Sequence, residues 1–472
     1  MSENGIQFRF PERIKERFLA TAGLTFGDGT VVSTGEMWQF LTEEGPRRFP
    51  AAYTNDPFSG GLSPDVDFLT GLKRYYWGFT GFDRLKKQLK SDRPVVAIQA
   101  GSPVEIYYVA NCIVVGPAFP LGWLLQQAEG FSRPEQERRL AAIRNECKKS
   151  MPAECCTIVA PFHAVHITQT PVHFIAPITL TECSDAVFTM ESARRSGENI
   201  PSFIVDFPVN NQAGQWRAEY LAAQLRILAG KLGELAGMTI TDEVMVAEIQ
   251  RQNQLRRLAR ECTELWWKAP VPPLNTGDKG ILGMWSADPD DYLIAMQLLT
   301  EAKVEMEVRI ASNVKGAGLS DDPLRIFVCG SCAAINVYMV EQTGGVIVAH
   351  EENLSTLYMD IAEEGDPFLS MAQAICDLPY ERAPEERAAW TAQKVRESRA
   401  DGVIFIYNWG CNYQSSTSRM VAEIIKEKAG VPTLTLDISQ SGEMTNAEQS
   451  RTRIEAFMEI LSHNRIMQRS RA

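Results

Sequence analysis

The chain has 472 residues, of which 45% are hydrophobic and 22% charged, with ten cysteines and a formal net charge of −12. Globular composition excludes general disorder, and an acidic balance without a basic face excludes nucleic-acid binding. No apolar leader core opens the chain and no apolar run approaches the roughly 20 residues of a membrane span, so a cytoplasmic, reducing location is expected, where cysteines are buried small side chains or ligands rather than disulfides.

Residues 1–92 read as an irregular N-terminal extension rich in glycine, proline and aromatic residues, with a short helix over 83–90. From Pro94 short apolar strands alternate with helices. Strands are expected over 94–98, 113–115, 185–189 and 201–206, with a turn at Gly101-Ser102-Pro103 and helices over 104–110 and from Glu191. That pattern is a parallel, doubly wound sheet, and 93–211 is assigned as a first α/β lobe. Residues 212–275 form a helical connector, with apolar helical spacing over 217–235 and 241–267. Residues 276–472 form a second α/β lobe that repeats the first. A strand over 324–328 leads into the turn Cys329-Gly330-Ser331-Cys332, and the Gly-Ser pair occupies the position of Gly101-Ser102. The segment 431–437 parallels 200–206. The expected fold is therefore α/β, with two duplicated lobes on parallel sheets joined by a helical segment.

In open α/β sheets function collects at the carboxyl ends of the strands. Cys329 and Cys332 directly follow one strand, Cys411 lies in the loop after the strand 403–407, and Cys183 immediately precedes the strand 185–189. Cys155 and Cys156 are adjacent, ahead of a loop-like stretch holding His163, His166 and His173. Cys112, Cys147, Cys262 and Cys376 fall on helical or strand patterns and read as buried small side chains. Thiolates suit zinc or iron–sulfur clusters. Only Cys329-x-x-Cys332 has the paired spacing of structural zinc, with no second such pair. Ligands spread over both lobes suit a cluster in an interdomain cleft, while the Cys329–Cys332 spacing also fits a dithiol redox motif. The chain contains no G-x-G-x-x-G after a strand, no P-loop, no H-E-x-x-H and no G-x-S-x-G.

The segment Ala400-Asp401-Gly402-Val403-Ile404, then Cys411, Val431-Pro432, Asp437 and 448–457 resembles the C-terminal signature of the 2-hydroxyacyl-CoA dehydratase and benzoyl-CoA reductase family. Gly101 to Glu105 is similar to that family's first strand–turn–helix, and Cys155/Cys156 with Cys183 to its first two cluster ligands. The resemblance implies flavodoxin-like lobes holding an oxygen-sensitive [4Fe-4S] cluster between them, on one of Cys155 or Cys156, on Cys183 and on Cys411. It also implies electrons from a separate ATP-hydrolysing activator protein with its own [4Fe-4S] cluster. The Cys155-Cys156 doublet and the Cys329/Cys332 pair depart from the ordinary pattern. Six candidate ligands, Cys155, Cys156, Cys183, Cys329, Cys332 and Cys411, match an [8Fe-9S] double cubane at three apiece, as in a branch of the family that reduces small unsaturated molecules. The expected function is thus an ATP-activated iron–sulfur reductase of a small-molecule substrate, working as a homodimer. His163, His166 and Glu351 are the candidate proton donors. Ser331, Asn408, Asn412 and the Gly330 and Gly410 amides are candidate donors to cluster sulfurs. The alternatives are a 2-hydroxyacyl-CoA dehydratase or aryl-CoA reductase subunit with one [4Fe-4S] cluster and a ketyl radical mechanism, and a cluster-carrying electron relay.

Overall fold

The computed structural model describes residues 8–53, 64–98, 103–115, 134, 135, 138, 172–178, 200–207, 215–330, 337–407, 411–437 and 447–470. In chain order the strands are β1 (Leu24–Thr25), β2 (Val31–Val32), β3 (Val95–Ala97), β4 (Ile113–Val115), β5 (Phe174–Ile175), β6 (Leu324–Cys329), β7 (Gly345–His350), β8 (Gly402–Tyr407) and β9 (Thr433–Asp437). The pair β1–β2 is a small antiparallel hairpin. The other strands make two all-parallel sheets, β4-β3-β5 in the first half and β7-β6-β8-β9 in the second. Parallel bridges from Ile175 to Ser202 and from Ile178 to Val205 continue the first sheet by one more strand position. The two lobes then have the same strand order, which is the duplication expected from the sequence. The expected strand 185–189 lies outside the described residues. The place beside β3 is taken by Phe174–Ile175, a strand too short to stand out as a hydrophobic run.

Strand alternation sorts the second sheet into two faces. Leu324, Ile326 and Val328 face a cluster completed by Val340, Ile454, Phe457, Met458 and Leu461. Phe327 and Cys329 face the opposite way, into a larger core with Trp266, Trp267, Val348, Val395 and Phe405. Helices thus cover both faces, as a parallel sheet requires. Between the lobes run two long helices, Gln215–Ala236 and Asp242–Lys268.

Core membership redraws the expected boundaries in two places. The sequence assigns residues 276–472 to the second lobe, yet Met359, Ile361, Phe368, Met371, Ile375 and Leu378 pack in the first lobe's core against Val96, Leu221, Leu225 and Leu228. Helix Pro367–Cys376 is apolar enough on one face to serve either sheet, and only tertiary packing decides which. The described residues of the segment 1–92 include regular helices. Among them are the 20-residue helix Leu69–Gln88, longer than the helix expected over 83–90 and mostly N-terminal to it, and a helix Thr34–Gln39 opened by a Ser33–Glu36 capping box. Phe10, Phe18, Trp38, Tyr53, Phe68 and Leu72 join the core of the second lobe, so the aromatic residues of this segment are core rather than loop. Among the described residues no helix is long and apolar enough to cross a membrane.

Candidate functional site

At the carboxyl end of β6 the backbone turns at Gly330, which has φ +91° and lies so close to β8 that a Cβ would collide with the Ile406 carbonyl oxygen. Only glycine fits there. The Gly330 amide donates to Glu351 Oε2 at 3.0 Å. Glu351 opens the helix Glu351–Leu357 directly after β7 and meets Arg387 from the helix Pro384–Glu397. Arg387 Nε donates to Oε1 at 3.0 Å and Nη2 to Oε2 at 2.7 Å, while Thr391 Oγ1 donates to Oε1 at 2.5 Å. Burial drives Glu351 toward its neutral form, but the Arg387 charge and these hydrogen bonds outweigh it and hold the carboxyl below its usual range. A carboxylate kept ionised, with four donors on its two oxygens, has no proton to give. Glu351, expected as a proton donor, is placed where it braces the turn after β6. No local spacing announces Arg387 or Thr391, because they reach Glu351 only through the packing of their helix on the sheet.

Cys329 is the last residue of β6 and is fully buried. Burial pushes its thiol well above the ordinary range; the neighbouring Glu351 charge adds to this and Arg387 opposes it. Cys411 has a different setting. It is the N-cap residue of the 18-residue helix Asn412–Ala429, just past β8, and is half-buried. A helix N-terminus favours a thiolate. Cys112, Cys262 and Cys376 are buried, and burial raises their thiols to about 12, about 12 and about 11. They match the expectation of small apolar side chains. His173 Nδ1 accepts the Val95 amide at 2.8 Å, at the start of β3 and away from the strand carboxyl ends. Cys155, Cys156, Cys183, Cys332, His163, His166, Ser331, Asn408 and Gly410 lie outside the described residues, as does Cys147.

The group implied by the resemblance is a thiolate-held iron–sulfur cluster. Cys411 fits it, being partly accessible at a strand carboxyl end and at a helix N-terminus. Cys329 does not fit it, being enclosed in the core beside an ionised carboxylate. Among the described residues no three His, Cys, Asp or Glu side chains converge as a metal site. A cavity of about 1040 Å³ opens where the helices 215–236, 367–376 and 384–397 approach one another, with Arg217, Arg260, Tyr358, Arg382 and Trp390 in its wall. Asp360, Asp377 and Glu386 share that wall, and Arg260 is closed onto Asp360 by bonds of 2.8 and 2.6 Å. The described wall therefore carries both signs of charge and is no anion trap.

A family model described as 2-hydroxyglutaryl-CoA dehydratase, D-component, matches residues 99–461. The chain is 26% identical over 304 residues to the (R)-phenyllactyl-CoA dehydratase beta subunit of Clostridium sporogenes, covering 61% of this chain and 75% of that relative. It is 21% identical over 282 residues to the alpha subunit of the (R)-2-hydroxyglutaryl-CoA dehydratase of Acidaminococcus fermentans, covering 58% of this chain and 57% of the relative. It is 22% identical over 243 residues to one of the subunits of the benzoyl-CoA reductase of Thauera aromatica, covering 48% of this chain and 59% of that relative.

Proposed function

Because the chain belongs to the 2-hydroxyglutaryl-CoA dehydratase D-component family, we propose that it is the cluster-carrying component of an enzyme that acts on an acyl-CoA thioester, as a dehydratase or a reductase. Cys411 carries the proposal. It lies within the matched segment, at the carboxyl end of β8 and the N-terminus of its helix, where a thiolate ligand is favoured. The other ligands in this proposal are one of Cys155 or Cys156, together with Cys183, which the resemblance implies. When bound, a [4Fe-4S] cluster would supply single low-potential electrons to the substrate. The described residues contribute the frame: the Glu351–Arg387 pair fixes the β6 turn, and the sheet edge sets the position of Cys411. An ATP-hydrolysing activator is the proposed electron source, in line with the missing P-loop, and pairing with a second subunit, like or unlike, is part of the same proposal.

The second reading, a double-cubane reductase of a small unsaturated substrate, is favoured by the count of six candidate cysteines and requires Cys329 as a ligand. Anaerobic purification followed by iron and acid-labile sulfide analysis tests both. The proposal expects about four of each per chain, the double cubane about eight iron, counts that follow from the cluster formulae. Cys411→Ser should abolish the bound iron. Zinc in place of iron, or no metal, would sink both. Turnover of an acyl-CoA by the activated protein would exclude a simple electron relay.

A further inference from the structure

We infer that Cys329 is a core residue and not a cluster ligand, so that this chain holds one cubane and not two. The inference rests on the proposal that the chain carries an iron–sulfur cluster. Its own grounds are geometric.

Alternation along β6 puts Cys329 on the side of Phe327, facing the core built by Trp267, Val348 and Phe405, and its exposure is 0%. Parallel register pairs Cys329 with Phe405, two residues before the end of β8. At ~3.3 Å per residue the Cys329 backbone therefore lies about 7 Å below the top of β8, whereas Cys411 follows that top. Cys329 is itself the last residue of β6 and lies level with the end of β7, so what separates it from Cys411 is its enclosure and the face it takes: Cys411 is partly accessible, whereas the Cys329 side chain points into the core.

Two further contacts hold Cys329 where it is. Its neighbour Gly330 is pressed against the Ile406 carbonyl and gives its amide to Glu351. Turning Cys329 outward would break that hydrogen bond and leave the buried Glu351–Arg387–Thr391 cluster short of a donor. Without Cys329 the six candidate cysteines fall to five, short of the three apiece that two cubanes need. One cubane needs only three.

The test is Cys329→Val in the full chain, purified without oxygen. Valine keeps an apolar side chain of comparable size and cannot ligate iron. Iron and sulfide per chain should equal those of the unsubstituted protein, and Cys411→Ser should lose them. A loss of about half the iron in Cys329→Val would overturn the inference. A second measurement does not depend on the variant folding. Alkylation of the unsubstituted protein, with and without chelator, followed by peptide mass analysis, should label Cys329 only in denaturant. Labelling of native, chelator-treated protein at Cys329 would overturn the inference equally. If the unsubstituted protein binds no iron, the proposed function fails, and the alkylation result still decides whether Cys329 belongs to the core.

Discussion

Glu351 and Arg387 form a two-pronged ion pair in which each side chain is 1% exposed. The pair links the first residue of the helix Glu351–Leu357 to the first turn of the helix Pro384–Glu397 and, through the Gly330 amide, fixes the turn after β6. A buried pair of this kind is weak evidence for net stability, but breaking it from one side is costly. Arg387→Met should lower stability by about 3–5 kcal/mol, read from urea unfolding. Replacing both partners, Glu351→Gln with Arg387→Met, should cost less than the sum of the two single changes. Additive losses would show that the two groups do not act as a unit.

The same pair carries a pH dependence of known sign. The folded-state pKa of Glu351 is held below its ordinary value. Its contribution is therefore present above about pH 4, the unfolded value, and is lost as the pH falls through the folded value. Acid unfolding of Glu351→Gln should be flatter than that of the unsubstituted chain over that acid range. Identical acid limbs would mean that Glu351 is not ionised in the folded protein.

Asp278 has the opposite sign. Burial pushes its carboxyl up to about 7, with the Asp65 amide hydrogen bond and the Arg74 and Arg309 charges opposing and the Asp65 charge adding. Its Oδ1 is buried without a hydrogen-bond partner, while Oδ2 accepts the Asp65 amide at 2.7 Å. The folded pKa is raised, so the contribution is complete below the unfolded value of about 4 and is gone once the pH has risen through about 7. Asp278→Asn should therefore gain stability relative to the unsubstituted chain as the pH rises over that interval. A stability difference that does not change with pH would place the folded pKa near that of an ordinary aspartate.

The sequence made the sheets legible, because Leu324–Cys329, Gly345–His350 and Gly402–Tyr407 are largely apolar runs, broken only by Arg325 and ended by His350, flanked by glycine or polar turns. It also made the duplication legible through the matched strand ends. It did not reveal that helix 367–376 serves the first lobe, since an amphipathic stripe carries no address. Nor did it show that the aromatic residues of 1–92 build core, because Gly71, Gly78 and Gly81 interrupt the helical pattern of Leu69–Gln88. At the site, Cys411 could be picked out because it follows a strand. Cys329 could be picked out on the same rule, yet the rule does not say which face a last strand residue takes. That depends on alternation from Leu324 onward and on which face the larger core covers.

Glu305 shows how the N-terminal segment is attached. The helix Leu69–Gln88 has no side-chain cap of its own. Instead Glu305, from the helix Tyr292–Ala311, accepts the Leu69 amide at 2.9 Å, the Thr70 amide at 3.0 Å and Thr70 Oγ1 at 2.7 Å. A carboxylate at a helix N-terminus satisfies orphan amides and opposes the positive end of the dipole. Glu305→Ala should cost about 1 kcal/mol, the usual value of a lost cap. Hydrogen exchange should accelerate first at Leu69 and Thr70. Exchange that stays unchanged there would mean the amides find another acceptor.

Gly330 is the position where a single methyl group decides whether the turn forms. Its φ of +91° already disfavours any side chain, and the Ile406 carbonyl occupies the space a Cβ would need. The turn can relieve the clash only by moving away from β8, which separates the Gly330 amide from Glu351. Gly330→Ala should therefore destabilise by more than the 1–3 kcal/mol or so of an unfavourable backbone conformation alone, because a buried acceptor also loses its donor. Combining it with Glu351→Gln should cost less than the sum of the two single changes, since both act on the one hydrogen bond between the Gly330 amide and Glu351. Thermal unfolding of the three variants reads both effects. A Gly330→Ala protein as stable as the unsubstituted chain would mean that the turn does not lie against β8.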